Sequence, residues 1–150
     1  MCHEVVDDTM LVIQGPSAPS GEEWTAHCRG HATLTYHGVL VVADQSCPGP
    51  TSRQRAELAD AFKARARVPD VAVVTASSAH RGIVTVMNWL QKGSLKAYPP
   101  TRLGEALKYA GVAPSAYGRI VRRIHELALS VNAPWIVQAV TLPSVHEASP

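Results

Sequence analysis

The sequence predicts an α/β fold built on a mixed sheet, and three observations carry that expectation. Val39-Leu40-Val41-Val42 and Val71-Ala72-Val73-Val74 are apolar at every position, the pattern of strands covered on both faces. Stretches with apolar residues at helical spacing, opened by hydroxyl caps and closed by glycine or proline, lie between these runs. Strands and helices therefore alternate, and parallel neighbours need such helical crossovers.

Taken in order, Thr9 to Gln14 reads as a strand closed by Gly15-Pro16. Ser20 offers an N-cap, and Glu22 and Glu23 suit the positive end of a helix over about Gly21 to His31. Tyr36 to Ala43 is expected to be a central strand, and Asp44 to Pro50 is turn chemistry. Thr51 or Ser52 then caps a helix that carries Leu58, Ala59, Phe62 and Ala66 on one face, ended by Val68-Pro69-Asp70. Val71 to Thr75 is the second buried strand. Ser77-Ser78 cap a helix from about Ala79 to Lys92, in which Ile83, Val84, Val86, Met87, Trp89 and Leu90 predict burial and Gly93 the stop.

Ser94 to Tyr98 is a short edge strand, and Pro99-Pro100-Thr101 leads into a helix with Leu103, Ala106, Leu107 and Ala110, stopped by Gly111. Ser115 to Asn132 is amphipathic, with Tyr117, Ile120, Val121, Ile124, Leu127, Ala128 and Val131 opposite Arg119, Arg122, Arg123 and Glu126. Trp135 to Leu142 reads as a last strand and Pro143 to Pro150 as a frayed tail. Residues 1–112 thus form the α/β domain. Residues 113–150 form a C-terminal helix and strand, packed on that domain or on a partner copy.

Composition narrows the function classes. A chain of 150 residues, 46% hydrophobic, is expected to be one ordered domain that buries roughly 70% of its unfolded surface. Its apolar runs fall short of the roughly 18 to 20 residues that span a bilayer, and the Met-Cys-His-Glu opening lacks a secretion signal, so neither membrane nor export is expected. A net charge of +2 and 5% aromatic residues give no footprint for nucleic acid. Cys2, Cys28 and Cys47 form neither a disulfide framework nor a CxxC pair, which points to a reducing cytoplasm.

The cadence of Val71 to Gly111, strand, small polar turn, apolar helix, short strand, two prolines and capped helix, resembles the second half of a STAS domain. That is the family of bacterial anti-sigma-factor antagonists, and the likeness is greater to its divergent SpoIIAA-like branch. Gly38 to Asp44 is similar to the family's central strand, and the whole resemblance covers about Thr9 to Gly111. It implies a cytoplasmic regulatory module that acts through a protein partner. In the antagonists, a hydroxyl in an Asp-Ser-Ser-Gly turn is phosphorylated. Here Pro50, Thr51, Ser52 and Arg53 stand at that turn, so Thr51 and Ser52 are the implied phosphosites, although the leading acid and closing glycine are absent. A phosphate there would meet free N–H groups at a helix start, near Arg53 and Arg55. The plain alternative is an ordinary N-cap.

Other constellations have the same two-sided character. His27 and His31 share a helix face four residues apart, half of a zinc site, but no spacing brings two further ligands to them. The alternative is a pair of surface histidines around a buried Cys28, and no metal or other cofactor is assigned. Ser77, Ser78, His80 and Arg81 begin the apolar helix, where they either hold an anion or simply cap it, with Arg81 tied to a neighbouring carbonyl or carboxylate. Cys47 and His80 would make a nucleophile and base only if the fold joined them. Arg119, Arg122 and Arg123 read as a solvated helix face. The sequence is therefore read as a non-catalytic regulatory or protein-binding module with a protein partner, whose C-terminal apolar stripe suits either a homodimer or an intramolecular pack. Its alternative is a small enzyme or an anion- or ligand-binding protein using the Cys47, His80 and Arg81 region.

Overall fold

The structure, a computed structural model, describes residues 1–63, 65, 67–90 and 94–141. Strand β1 (Cys2–Val6) turns through Asp7-Asp8 into β2 (Thr9–Gln14), and α1 (Gly21–Thr33) leads to β3 (Gly38–Ala43). Helix α2 (Ser52–Lys63) leads to β4 (Asp70–Val74), and α3 (Ser78–Leu90) to β5 (Leu95–Tyr98). Three helices follow: α4 (Leu103–Tyr109), α5 (Tyr117–Ser130) and α6 (Pro134–Ala139). The expectations for Ala66, for the stop at Gly93, for the side chains of Val86, Met87, Trp89 and Leu90, and for the tail after Thr141 lie outside the described residues.

The architecture is α/β with a five-stranded mixed sheet in the order β1-β2-β3-β4-β5. Strands β2 to β5 are parallel, and β1 pairs antiparallel with β2 at one edge. Leu11, Leu40, Ala72, Ile13, Val42 and Val74 point to one face, where they pack with Leu103, Leu107, Ile120, Ile124 and Ile136 of α4, α5 and α6. Met10, Val39 and Val71 lie in register on the opposite face, towards Tyr36 and Phe62. Apolar residues at consecutive positions thus serve two cores at once.

Local chemistry fixes the helix ends. Ser20 and Glu23 form a reciprocal capping box at α1. Gly111, with φ of 77°, closes α4, as Gly111 N–H bonds Lys108 O and Val112 N–H bonds Leu107 O. Asn132, with φ of 53°, closes α5 through the same pair of bonds, to Leu129 O and Ala128 O.

Two elements depart from the sequence reading. Strand β1 was not expected, because its residues are all half-buried and form no fully apolar run. Its two-residue turn has positive φ at both Asp7 and Asp8, the geometry that suits the twist of a hairpin. Within the strand expected over Trp135 to Leu142, residues Trp135 to Ala139 lie instead in α6, and Leu142 is outside the described residues. Pro134 supplies a helix-compatible φ at the first position, and Ile136 and Val140, one turn apart, are both wholly buried. The Asn132 turn folds this segment back beside α5, so among the described residues of the C-terminal addition the α-helices α5 and α6 stand where a helix and a strand were expected.

Gly38 marks a close approach, because a Cβ there would lie 1.9 Å from Ala110 O, where the chain leaves α4. Gly38→Ala is expected to lower stability by about 2 to 3 kcal/mol through overpacking against backbone. Gly118→Ala in α5, where a Cβ meets nothing within 4 Å, should raise it by about 0.5 to 1 kcal/mol. Urea midpoints read both, and a wild-type midpoint for Gly38→Ala would contradict the packing.

Candidate functional site

Helix α1 packs on α2, while α3 packs on β5. Trp24 Nε1–H donates to Glu57 Oε2 at 2.9 Å and joins the first pair. Between α2 and α3, above β3 and β4, lies a cavity of about 360 Å³. Its floor is Val39, Val41 and Ala43 of β3 with Val71 and Val73 of β4, and α2 contributes Leu58, Ala59 and Phe62. Ile83 and Val84 of α3 form the facing wall, and Trp24, His27 and His31 of α1 reach it from behind. The polar residues Gln14, Cys47, Arg55, Thr75 and His80 also line it, as does Ser94 at the amino end of β5. The first five come from the carboxyl ends of strands or from the turns and first helical turns that follow them.

The histidines are the largest departure from the sequence reading. His27 and His31 do share a face, but they are 3% and 1% exposed, and Cys28 is only half-buried. The surface and core roles are therefore reversed. The signal was present in the spacing, since Trp24, His27 and His31 at i, i+3 and i+7 make a core stripe. Their rings stack edge to face 4.4 Å apart, and His3 stands 5.7 Å from His27. Among the described residues, no group of three or more His, Cys, Asp or Glu side chains is placed to hold a metal ion.

Burial pushes His27 down to about 4, with His3 adding to the shift. Burial likewise pushes His31 down to about 3, with His27, His3 and Arg65 contributing. Both imidazoles are neutral at neutral pH. His31 Nδ1 meets the Tyr36 hydroxyl, whereas His27 Nδ1 is buried without a protein partner. Arg65, which no sequence signal singled out, stacks over the Tyr36 ring at 3.9 Å and donates to the carbonyls of His31, Leu34 and Tyr36. It secures the end of α1 and the loop that follows.

The remaining candidates have structural partners. Cys47 and His80 both line the cavity, but the thiol lies 3.6 Å from Gln14 Oε1 and 3.3 Å from Pro48 O. Burial, followed by the nearby Asp44 charge, raises the thiol pKa and keeps it protonated. Ser77 Oγ accepts from His80 N–H and caps α3, while Arg81 donates to Thr75 O and Ala76 O. Ser77 and Ser78 border a more open hollow shared with Gln45 and Ser46, because β3 and β4 are neighbours and their following turns meet. Thr51 and Gln54 form a reciprocal capping box at α2, and Ser52 Oγ accepts from Arg55. Both hydroxyl residues are exposed.

No family model matches the chain, and neither a curated protein nor a solved structure does. The STAS resemblance therefore rests on the cadence of the sequence alone.

The two histidines make stability pH-dependent. Above about pH 6.5 they are neutral in both folded and unfolded chains and contribute no slope. As pH falls below that, the unfolded chain takes up their protons while the folded chain does not, until pH approaches about 4 for His27 and about 3 for His31. Stability should fall by about 1.4 kcal/mol per pH unit for each histidine in this window. Urea unfolding at pH 7, 6, 5 and 4.5 reads the slope, and His27→Phe should remove close to one proton's share. An identical slope in that variant would show that His27 titrates normally.

Proposed function

We propose that this chain is a non-catalytic binding protein that holds a small, largely apolar molecule in the cavity between α2 and α3. The observation that carries this reading is the cavity itself, about 360 Å³ over a floor of valines. Ligand pockets begin at about 300 Å³, and an apolar void of about 150 Å³ already takes benzene. The unpartnered His27 Nδ1 supports it, since a buried imidazole nitrogen is costly unless something hydrogen-bonds to it. The absence of catalysis is supported by the protonated Cys47 thiol with its Gln14 and Pro48 partners, and by the capping roles of Thr51 and Ser77.

The neutral fluorophore N-phenyl-1-naphthylamine tests this directly. Saturable enhancement of its fluorescence is expected. Ala59→Trp, which fills the cavity from α2, should weaken binding by about tenfold or more, a loss of about 1.4 kcal/mol. Circular dichroism checks that this variant keeps its fold. Non-saturable fluorescence, or equal binding by a folded Ala59→Trp variant, would refute the reading.

A second reading, a STAS-like regulatory module of a bacterial cytoplasm, is favoured by the meeting of the turns after β3 and β4 beside exposed Thr51 and Ser52. It uses residues 44–55 and 77–81 as a protein-contact surface and a hydroxyl of the 50–53 turn as its control. No helix among the described residues is long and apolar enough to cross a membrane. Asp is itself a good N-cap, so Thr51→Asp should keep α2 intact while adding charge. Altered partner capture by Thr51→Asp or Ser52→Asp relative to the alanine variants supports this reading, and unchanged capture in all four removes it.

A further inference from the structure

Charge and polarity are unevenly distributed in the cavity, and the distribution indicates a ligand class. Towards the amino ends of the strands and along its walls, the cavity offers Val39, Val71, Leu95 and Phe62, with the uncharged Ser94 and His31 beside them. Towards the carboxyl ends it offers Gln14, Thr75, His80 and Arg55. Arg55 and His80 lie in the first turns of α2 and α3, so two helix amino termini with their partial positive charge flank the same end. No Asp or Glu is among the described residues that line the cavity, and the fixed charge among them is the Arg55 guanidinium.

We infer that the ligand is an amphipathic carboxylate, its hydrocarbon body on the valine floor and its carboxylate at the Arg55 and His80 end. This rests on the cavity being a binding site, as proposed above. Arg55 uses Nη1 for Pro50 O and Nη2 for Ser52 Oγ, which leaves further N–H donors of its five for a carboxylate. A carboxylate at this end is drawn by a cation and by two helix dipoles, whereas a buried ammonium would find no counter-charge among the lining residues. Deeper in, His27 gives a second independent indication of an occupant. It is 3% exposed, lines the same cavity and lacks a protein partner at Nδ1.

Competition against bound N-phenyl-1-naphthylamine separates this inference from the reading beneath it. Decanoate and decanol, which share a chain and differ in the head, are titrated against wild type, Arg55→Gln and Arg55→Lys. Decanoate should displace the fluorophore at lower concentration than decanol from wild type. In Arg55→Gln the decanoate midpoint should rise by about tenfold while decanol is unchanged, and Arg55→Lys should recover part of the loss. If the fluorophore never binds saturably, the cavity reading fails and this inference with it. If the fluorophore binds but decanoate competes no better than decanol, or Arg55→Gln shifts both alike, the cavity stands and the carboxylate assignment is overturned.

Discussion

Four parallel strands joined in sequence order need three crossover helices, and right-handed crossovers set all three on one side of the sheet. Everything else in the molecule is arranged around that constraint. The other face, carrying Leu11, Ile13, Leu40 and Val42, is left bare by α1, α2 and α3 and must be covered by chain that follows β5. Helices α4, α5 and α6 do so, with Leu107, Ile120, Ile124 and Ile136 wholly buried. The C-terminal segment therefore completes the core of the sheet, and its anchors are mixed: apolar side chains inward, and Arg119 to Asp7 and Arg123 to Glu4 across to β1 and its turn.

The two faces differ in how well they close. On the α4–α6 side, the large side chains of Leu103, Leu107, Ile120, Ile124 and Ile136 meet the sheet and are wholly or almost wholly buried. On the crossover side, α1 and α2 are held together by the Trp24 to Glu57 bond and by the His31 and Phe62 rings, 4.7 Å apart. Helix α3 is held instead to β5. The short valine side chains of β3 and β4 beneath the space between α2 and α3 leave part of it open. A cavity at that place follows from which neighbour each helix packs against, and it needs no irregular element to create it.

Much of this was legible in the residues. The short, β-branched, doubly apolar runs of β3 and β4 suit a strand covered on both faces, and Ser20, Thr51 and Ser77 cap the helices they precede. Segments whose meaning depends on distant partners were not legible. Cys2–Val6 is half-buried at every position, so its sequence lacks the pattern of a covered strand, and only pairing with β2 gives it form. The Trp135 to Leu142 run is apolar enough for strand or helix, and the turn at Asn132 decides the matter by directing it onto α5. His27 and His31 read as polar surface until their spacing of three and seven residues from Trp24 is taken as the core stripe it is. The cavity draws its lining from every crossover segment, so no local spacing could announce it.

The polarity of that cavity has the same topological origin. In any βαβ unit the turn after each strand and the first turn of the following helix lie at the carboxyl edge of the sheet, and this is where polar turn residues and helix amino termini collect. A space enclosed between crossover helices is therefore polar at that end and apolar along the strands. Here the effect is sharpened by two particulars. Arg55 brings the fixed charge of the described lining to that end, and burial keeps both core histidines uncharged, so His27 enters the cavity as a neutral hydrogen-bonding group. An amphiphile with its anionic head at the strand ends matches this field along its whole length. The reversed orientation would put a charge on the valine floor, away from the Arg55 guanidinium and from both helix amino termini.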